Sequence, residues 1–141
     1  MKRRDLTAAA AVLPLLWAFA AQGNDMMKID VTDGKNRWTL VLEDNATARA
    51  LTAKLPLTLD FADLYGRELC YRFREALPAN EVRVRGYRPG EVIYWPPRHS
   101  LVIMYAQNGE TFDMQTVGRI EGDLAALAAA GDVTLTLTLE K

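Results

Sequence analysis

Polar and apolar positions alternate from Lys28 to Thr32, and the alternation runs into Asp33-Gly34, a pair that accepts the backbone angles of a tight hairpin. Trp38, Leu40 and Leu42 then alternate with Thr39 and Val41, so the two stretches predict an antiparallel strand pair. Asp44-Asn45 supplies side-chain oxygens able to cap a helix. Ala48, Leu51 and Leu55 follow at helical spacing until Pro56 ends the run. Leu57, Leu59 and Phe61 alternate with Thr58 and Asp60 and return the chain to strand. Leu69 to Phe73 predicts a short strand, as do Val82 and Val84 alternating with Arg83 and Arg85. Glu91 to Trp95 and Leu101 to Tyr105 are near-continuous apolar runs of the kind central strands need. In "TVGRIEGDLAALAAAG", Gly118 and Gly122 punctuate the chain, Asp123 can cap a helix from Leu124 to Ala130, and Gly131 can stop it. Val133, Leu135, Leu137 and Leu139 alternate with Thr134, Thr136 and Thr138, the pattern of a half-buried strand.

The elements sum to about eight strands and two short helices, which suits a closed barrel or a sandwich. Closure is favoured because it removes the edges that a strand as regular as Val133 to Leu139 would expose, and short helices can plug the open ends. The expectation is therefore a mainly β chain, a closed eight-stranded barrel with two short capping helices, and nothing marks a second domain.

Between two of the apolar runs lies "YWPPRHSL", Tyr94 to Leu101. Pro96-Pro97 lacks two backbone donors and fixes two φ angles, so no central strand passes through it, and the segment must be a stiff strand-to-strand connection. One reading packs Tyr94 and Trp95 against the barrel end with Arg98 and His99 in water. The other makes the loop the rim of a pocket, its aromatics offering apolar area and His99 an acid or base near neutral pH. His99 paired with Asp113 or Glu110 would form a dyad. Asn108-Gly109 reads as a hairpin turn, and Met104 and Met114 as core fillers.

Composition narrows the classes. The chain has 141 residues and a formal net charge of -1, so it offers no electrostatic footprint for nucleic acid. Lys2-Arg3-Arg4 leads into an uncharged stretch ending near Ala18 and Ala20, an export-signal pattern covering residues 1–26. Arg3-Arg4-Asp5-Leu6 resembles a twin-arginine signal. The stretch is short and interrupted by Pro14, so the membrane is met only in transit and the mature domain, 27–141, is periplasmic or secreted. Translation from Met26 or Met27 would leave it cytoplasmic. Cys70 is the only cysteine, which rules out an internal disulfide and predicts a buried thiol. One histidine and scattered carboxylates show no metal-ligand spacing, and no cofactor is expected.

"DNATARALTAKLPLTLDFADLYGRE", "ALP", "GEVIYWPPRHSLVIMYAQ" and "VGRIEG" together resemble the bacterial cyclophilin-like fold proteins, a likeness that runs from Met27 to the C-terminus. It implies an eight-stranded closed barrel with end-capping helices and no particular reaction. Similarity to the cyclophilin peptidyl-prolyl isomerases is more distant. Val117 to Gly122 is similar to their F-G-x-V-x-x-G segment, and Tyr71-Arg72 can occupy the place of their F-H-R, whose arginine is catalytic. A guanidinium bonded to the prolyl nitrogen weakens C–N double-bond character and so lowers the rotation barrier. Here, however, Phe73-Arg74-Glu75-Ala76-Leu77-Pro78 follows the arginine, without the glutamine and glycine pair of the isomerases' proline pocket. Trp95 and His99 also precede the strand Leu101 to Tyr105 rather than following it.

The functional expectation is a domain that binds a peptide segment or small molecule in a groove built by Tyr71, Tyr94, Trp95, His99, Tyr105 and Gln115, with Arg72 beside it. The alternative is a divergent prolyl isomerase with Arg72 catalytic, assisting exported proteins.

Overall fold

A computed structural model describes residues 26–140. The proposed export signal lies outside the described residues. Nine strands form one sheet: β1 (Lys28–Thr32), β2 (Arg37–Leu42), β3 (Leu57–Leu64), β4 (Glu68–Arg72), β5 (Arg83–Arg85), β6 (Glu91–Trp95), β7 (Ser100–Met104), β8 (Phe112–Glu121) and β9 (Val133–Leu139). Two helices, α1 (Ala46–Ala53) and α2 (Leu124–Ala128), accompany them. The order β2-β1-β9-β3-β4-β7-β6-β8 closes on itself through pairing of β2 with β8, giving an eight-stranded antiparallel barrel. Thus the expected architecture is the observed one.

The barrel's members differ from the expected set at two places. β5 pairs only with the start of β8 and lies off the closed cylinder, and β8, not anticipated as a strand, takes its place among the staves. The reason is a break in period two. Val117 bulges out of register with β6, and Met114 and Gln115 are consecutive yet both buried, so alternation is kept only from Gly118 to Glu121.

Closure depends on a glycine. Gly118 pairs with Leu42 at the seam, where an added Cβ would stand 2.1 Å from the Val41 carbonyl oxygen. Any side chain there holds β2 away from β8. Gly122 meets a related limit, since its φ is +129° and a Cβ would lie 2.7 Å from Trp38 Cδ1.

Elsewhere local chemistry acts as anticipated. Asp33 Oδ1 accepts from the amides of Lys35 and Asn36 in the β1–β2 turn, and Gly34 has φ 97°. Asn45 caps α1 by accepting from Ala48 N, and Asp123 caps α2 by accepting from Ala126 N. Both helices seal the interior, Leu51 and Leu127 being fully buried in the main core with Ile29, Leu69, Val92, Leu101 and Leu135. A second, smaller cluster of Cys70, Tyr87, Ile93, Val102, Met104 and Met114 covers the outer face of β4, β7 and β6. That second layer prepares a surface on the side of the barrel rather than at its mouth.

Candidate functional site

Alternation along β4 sends Leu69 and Tyr71 to the main core, and Glu68, Cys70 and Arg72 outward. On β7, Ser100 and Val102 share that outer face, Cys70 pairing with Val102 and Arg72 with Ser100. Ser100 is also paired with Trp95 of β6. These side chains floor a cleft of about 320 Å³, whose remaining walls are Tyr65, Arg67, Glu110, Thr111 and Phe112.

The rim is set by the turn from β3 to β4. Tyr65 and Gly66 both have positive φ, 58° and 60°, and Arg67 N donates to Leu64 O at 3.1 Å, a geometry that matches the right-handed twist of the strands. An aromatic residue in the left-handed region is strained, by about 1–2 kcal/mol, and such strain concentrates at functional sites. Here it stands Tyr65 beside Arg67, whose guanidinium carbon lies 5.0 Å from that ring and 5.2 Å from the ring of Phe112.

Arg67 is almost fully buried and forms the hub of this wall. Its Nε donates to Glu68 Oε1 at 2.7 Å and its Nη1 to Glu110 Oε1 at 2.5 Å. Its carbonyl accepts from Tyr105 N and Ala106 N at 2.9 and 3.2 Å, so one residue ties the β7–β8 connection down through both backbone and side chain. The Tyr87 hydroxyl, donating to Ala106 O at 2.8 Å and accepting from Asn108 N at 3.1 Å, holds the same connection from the other side. The wall is therefore built rather than incidental.

Electrostatically the cleft is asymmetric. Burial pushes the Glu68 carboxyl above its ordinary range despite the Arg67 contact, and burial likewise pushes the Cys70 thiol up, so the thiol stays protonated at neutral pH. Arg72, at the opposite end, is exposed and makes no ion pair or hydrogen bond among the described residues.

Of the residues singled out by sequence, Arg72 and Trp95 meet in this cleft. The other five do not line it. Tyr71 faces the core, with Phe61 and Phe73 at ring distances of 6.1 and 5.0 Å. Tyr94 is wholly buried inside the barrel, its hydroxyl accepting from Leu77 N at 2.9 Å. Gln115, 1% exposed, accepts from Glu81 N at 2.7 Å and donates to Thr116 O at 3.2 Å. The Tyr105 hydroxyl donates to Asp63 at 2.5 Å; burial, reinforced by that carboxylate, pushes its pKa up to about 12. His99 ends a 3₁₀ turn over Pro96–Arg98 in the left-handed region, φ 51°, with Nδ1 3.3 Å from the Arg74 carbonyl. It forms no dyad with Glu110, which Arg67 holds. Parity explains the division: on β6, Tyr94 and Trp95 are neighbours in sequence and therefore face opposite sides.

Sequence reasoning passed over Tyr65, Arg67, Glu68, Ser100, Val102 and Phe112, and considered Glu110 only as a partner for His99. One signal was available, since Glu68, Cys70 and Arg72 alternate with two apolar residues, which marks a face distinct from the core. The rest needed the fold to bring distant turns together. Among the described residues no group of three His, Cys, Asp or Glu side chains is placed to hold a metal ion, and no helix is long and apolar enough to cross a membrane.

Comparison with known proteins adds the lineage. The model of the cyclophilin-like family matches residues 31–138. A hypothetical protein of Archaeoglobus fulgidus, known from its solution structure, is similar in fold with a TM-score of 0.64 at 16% identity, over 82% of this chain and 96% of that one. No curated protein matches the sequence.

Proposed function

The chain belongs to the cyclophilin-like family, and from that premise we propose that it is a binding domain whose ligand, a small molecule or short peptide segment, occupies the outer-face cleft between Arg72, Trp95 and Phe112. The observation that carries this reading is the concavity itself, in which Cys70, Trp95, Val102 and Phe112 give apolar surface between charged groups, walled by a connection that Arg67 and Tyr87 pin in place. Pre-formed sites of this kind cost little ordering on binding. The test is a library of small molecules and dipeptides screened by thermal shift. Hits should lose their effect in Trp95→Ala and Arg72→Ala and keep it in His99→Ala. A library without hits, or hits insensitive to the first two changes, refutes the reading.

One observation favours prolyl isomerisation as a second reading: Arg72 stands free beside an apolar surface, as an arginine acting on an X-Pro amide would. Against it, the groups that would hold the proline ring are absent from the segment after Arg72. A protease-coupled X-Pro assay decides the matter. Acceleration abolished by Arg72→Ala supports isomerase activity, and a rate equal to the uncatalysed one, tens to hundreds of seconds, rejects it.

A further inference from the structure

We infer that the cleft selects a ligand bearing one carboxylate on an apolar body, with the carboxylate seated on Arg72. The inference rests on the reading of the cleft as a ligand site and names the chemistry of what enters it.

The four charged residues of the lining divide unequally. Three are committed to one another. Arg67 bonds Glu68 and Glu110 at once, and the rings of Tyr65 and Phe112 lie 5.0 and 5.2 Å from its guanidinium carbon. A cationic ligand would have to compete with Arg67 for Glu68 and Glu110, whose Oε1 atoms it already bonds, and drawing Glu68 away would leave a buried guanidinium short of a partner. A polar neutral ligand gains little from a triad whose strongest donors and acceptors already face one another. The fourth residue, Arg72, is uncommitted among the described residues, and Arg98 adds positive charge near the same end, close enough for both to bear on Cys70.

Between the free cation and the closed triad the surface is apolar: Val102 and the protonated thiol of Cys70 below, Trp95 and Phe112 at the sides. A ligand that satisfies both parts carries its charge at one end only. A single planar fork of donors matches a carboxylate in bidentate fashion. A phosphate dianion asks for several cations or backbone amides converging on it, whereas Arg98 does not line the cleft and Arg72 is its one uncommitted cation among the described residues. The volume of about 320 Å³ is at the lower end for ligand sites, about 300–1,000 Å³, and so suits one ring on a short chain.

The experiment titrates the full-length, ¹⁵N-labelled protein at low ionic strength with three probes of one shape, 3-phenylpropionate, 3-phenylpropionamide and 3-phenylpropylamine. The acid should shift amide signals of β4, β6 and β7 and bind about tenfold more tightly than the amide, the amine binding least. Added salt should weaken the acid alone. In Arg72→Gln, an exposed substitution, the acid should fall to the level of the amide, and residual shifts of the same β4, β6 and β7 signals by both probes show that the cleft is intact. Equal binding of acid and amide, both at these strands, overturns the carboxylate preference and leaves the cleft as a ligand site. Absence of shifts at these strands with all three probes overturns both.

Discussion

Arg72 and Trp95 are two strands apart, yet both are paired in register with Ser100, so they stand in one row on the outside of the barrel with the serine between them. The connector Pro96–Arg98 makes this row possible, because it returns the chain directly from Trp95 to Ser100. The stiff loop thus acts through what it aligns on either side, while its own His99 bonds a backbone carbonyl.

The seam of the barrel gives the sharpest stability prediction. Gly118→Ala puts a methyl 2.1 Å from the Val41 oxygen and should cost more than about 4 kcal/mol in urea denaturation, or prevent folding. Gly131, with φ 69° and no atom near its Cβ position, is the control. Gly131→Ala should cost only about 1–2 kcal/mol.

Tyr94 separates a core role from a ligand role. Tyr94→Phe removes the acceptor of Leu77 N and leaves a buried donor unpaired, which should cost about 1–3 kcal/mol. Probe affinity measured on the folded variant should not change. A loss of affinity with full stability would place this tyrosine in the site after all.

Much of the fold is legible in the sequence because one physical pattern dominates it. Val133 to Leu139 alternates cleanly since β9 has one face in the core, and Asp33, Asn45 and Asp123 perform the turn and capping chemistry that their side chains offer. β8 is illegible because its middle is buried on both faces and carries a bulge and a seam glycine, which confine period two to its last four residues. The site was half legible for a related reason. A cleft on the outer face of a barrel has an apolar floor, and in sequence that floor is indistinguishable from core; Val102 and Ile103 read alike although they face opposite ways. Arg67 was hidden by its adjacency to a turn, where a charged residue is unremarkable until the fold brings Glu110 and Phe112 to it.

Arg67 and Glu68 should behave as a buried pair. Arg67→Ala strands the Glu68 carboxylate, and a loss of about 3–5 kcal/mol follows; replacing both by leucine should recover most of it. Glu110, largely exposed, contributes little, so Glu110→Gln should change stability by less than about 1 kcal/mol. Urea midpoints of the three variants check the ordering.

Alkaline stability follows from Tyr105. Its phenol is pushed up to about 12 by burial and by the Asp63 carboxylate, so the native state keeps a proton that the unfolded chain releases near pH 10. The corresponding stability is whole below about pH 10 and is lost as pH rises towards about 12. Tyr105→Phe should flatten that part of the pH profile. Tyr87, raised in the same direction by burial, sustains the remaining slope.

Whether ligands bind on the side of the barrel, as we propose, is decided by a crystal structure of the protein with the strongest hit from the library. Ligand density should lie between Arg72, Trp95 and Phe112, over Val102, with the Arg67 wall in place. Density confined to the barrel end around His99 and Tyr71, with the side cleft empty, refutes the proposal.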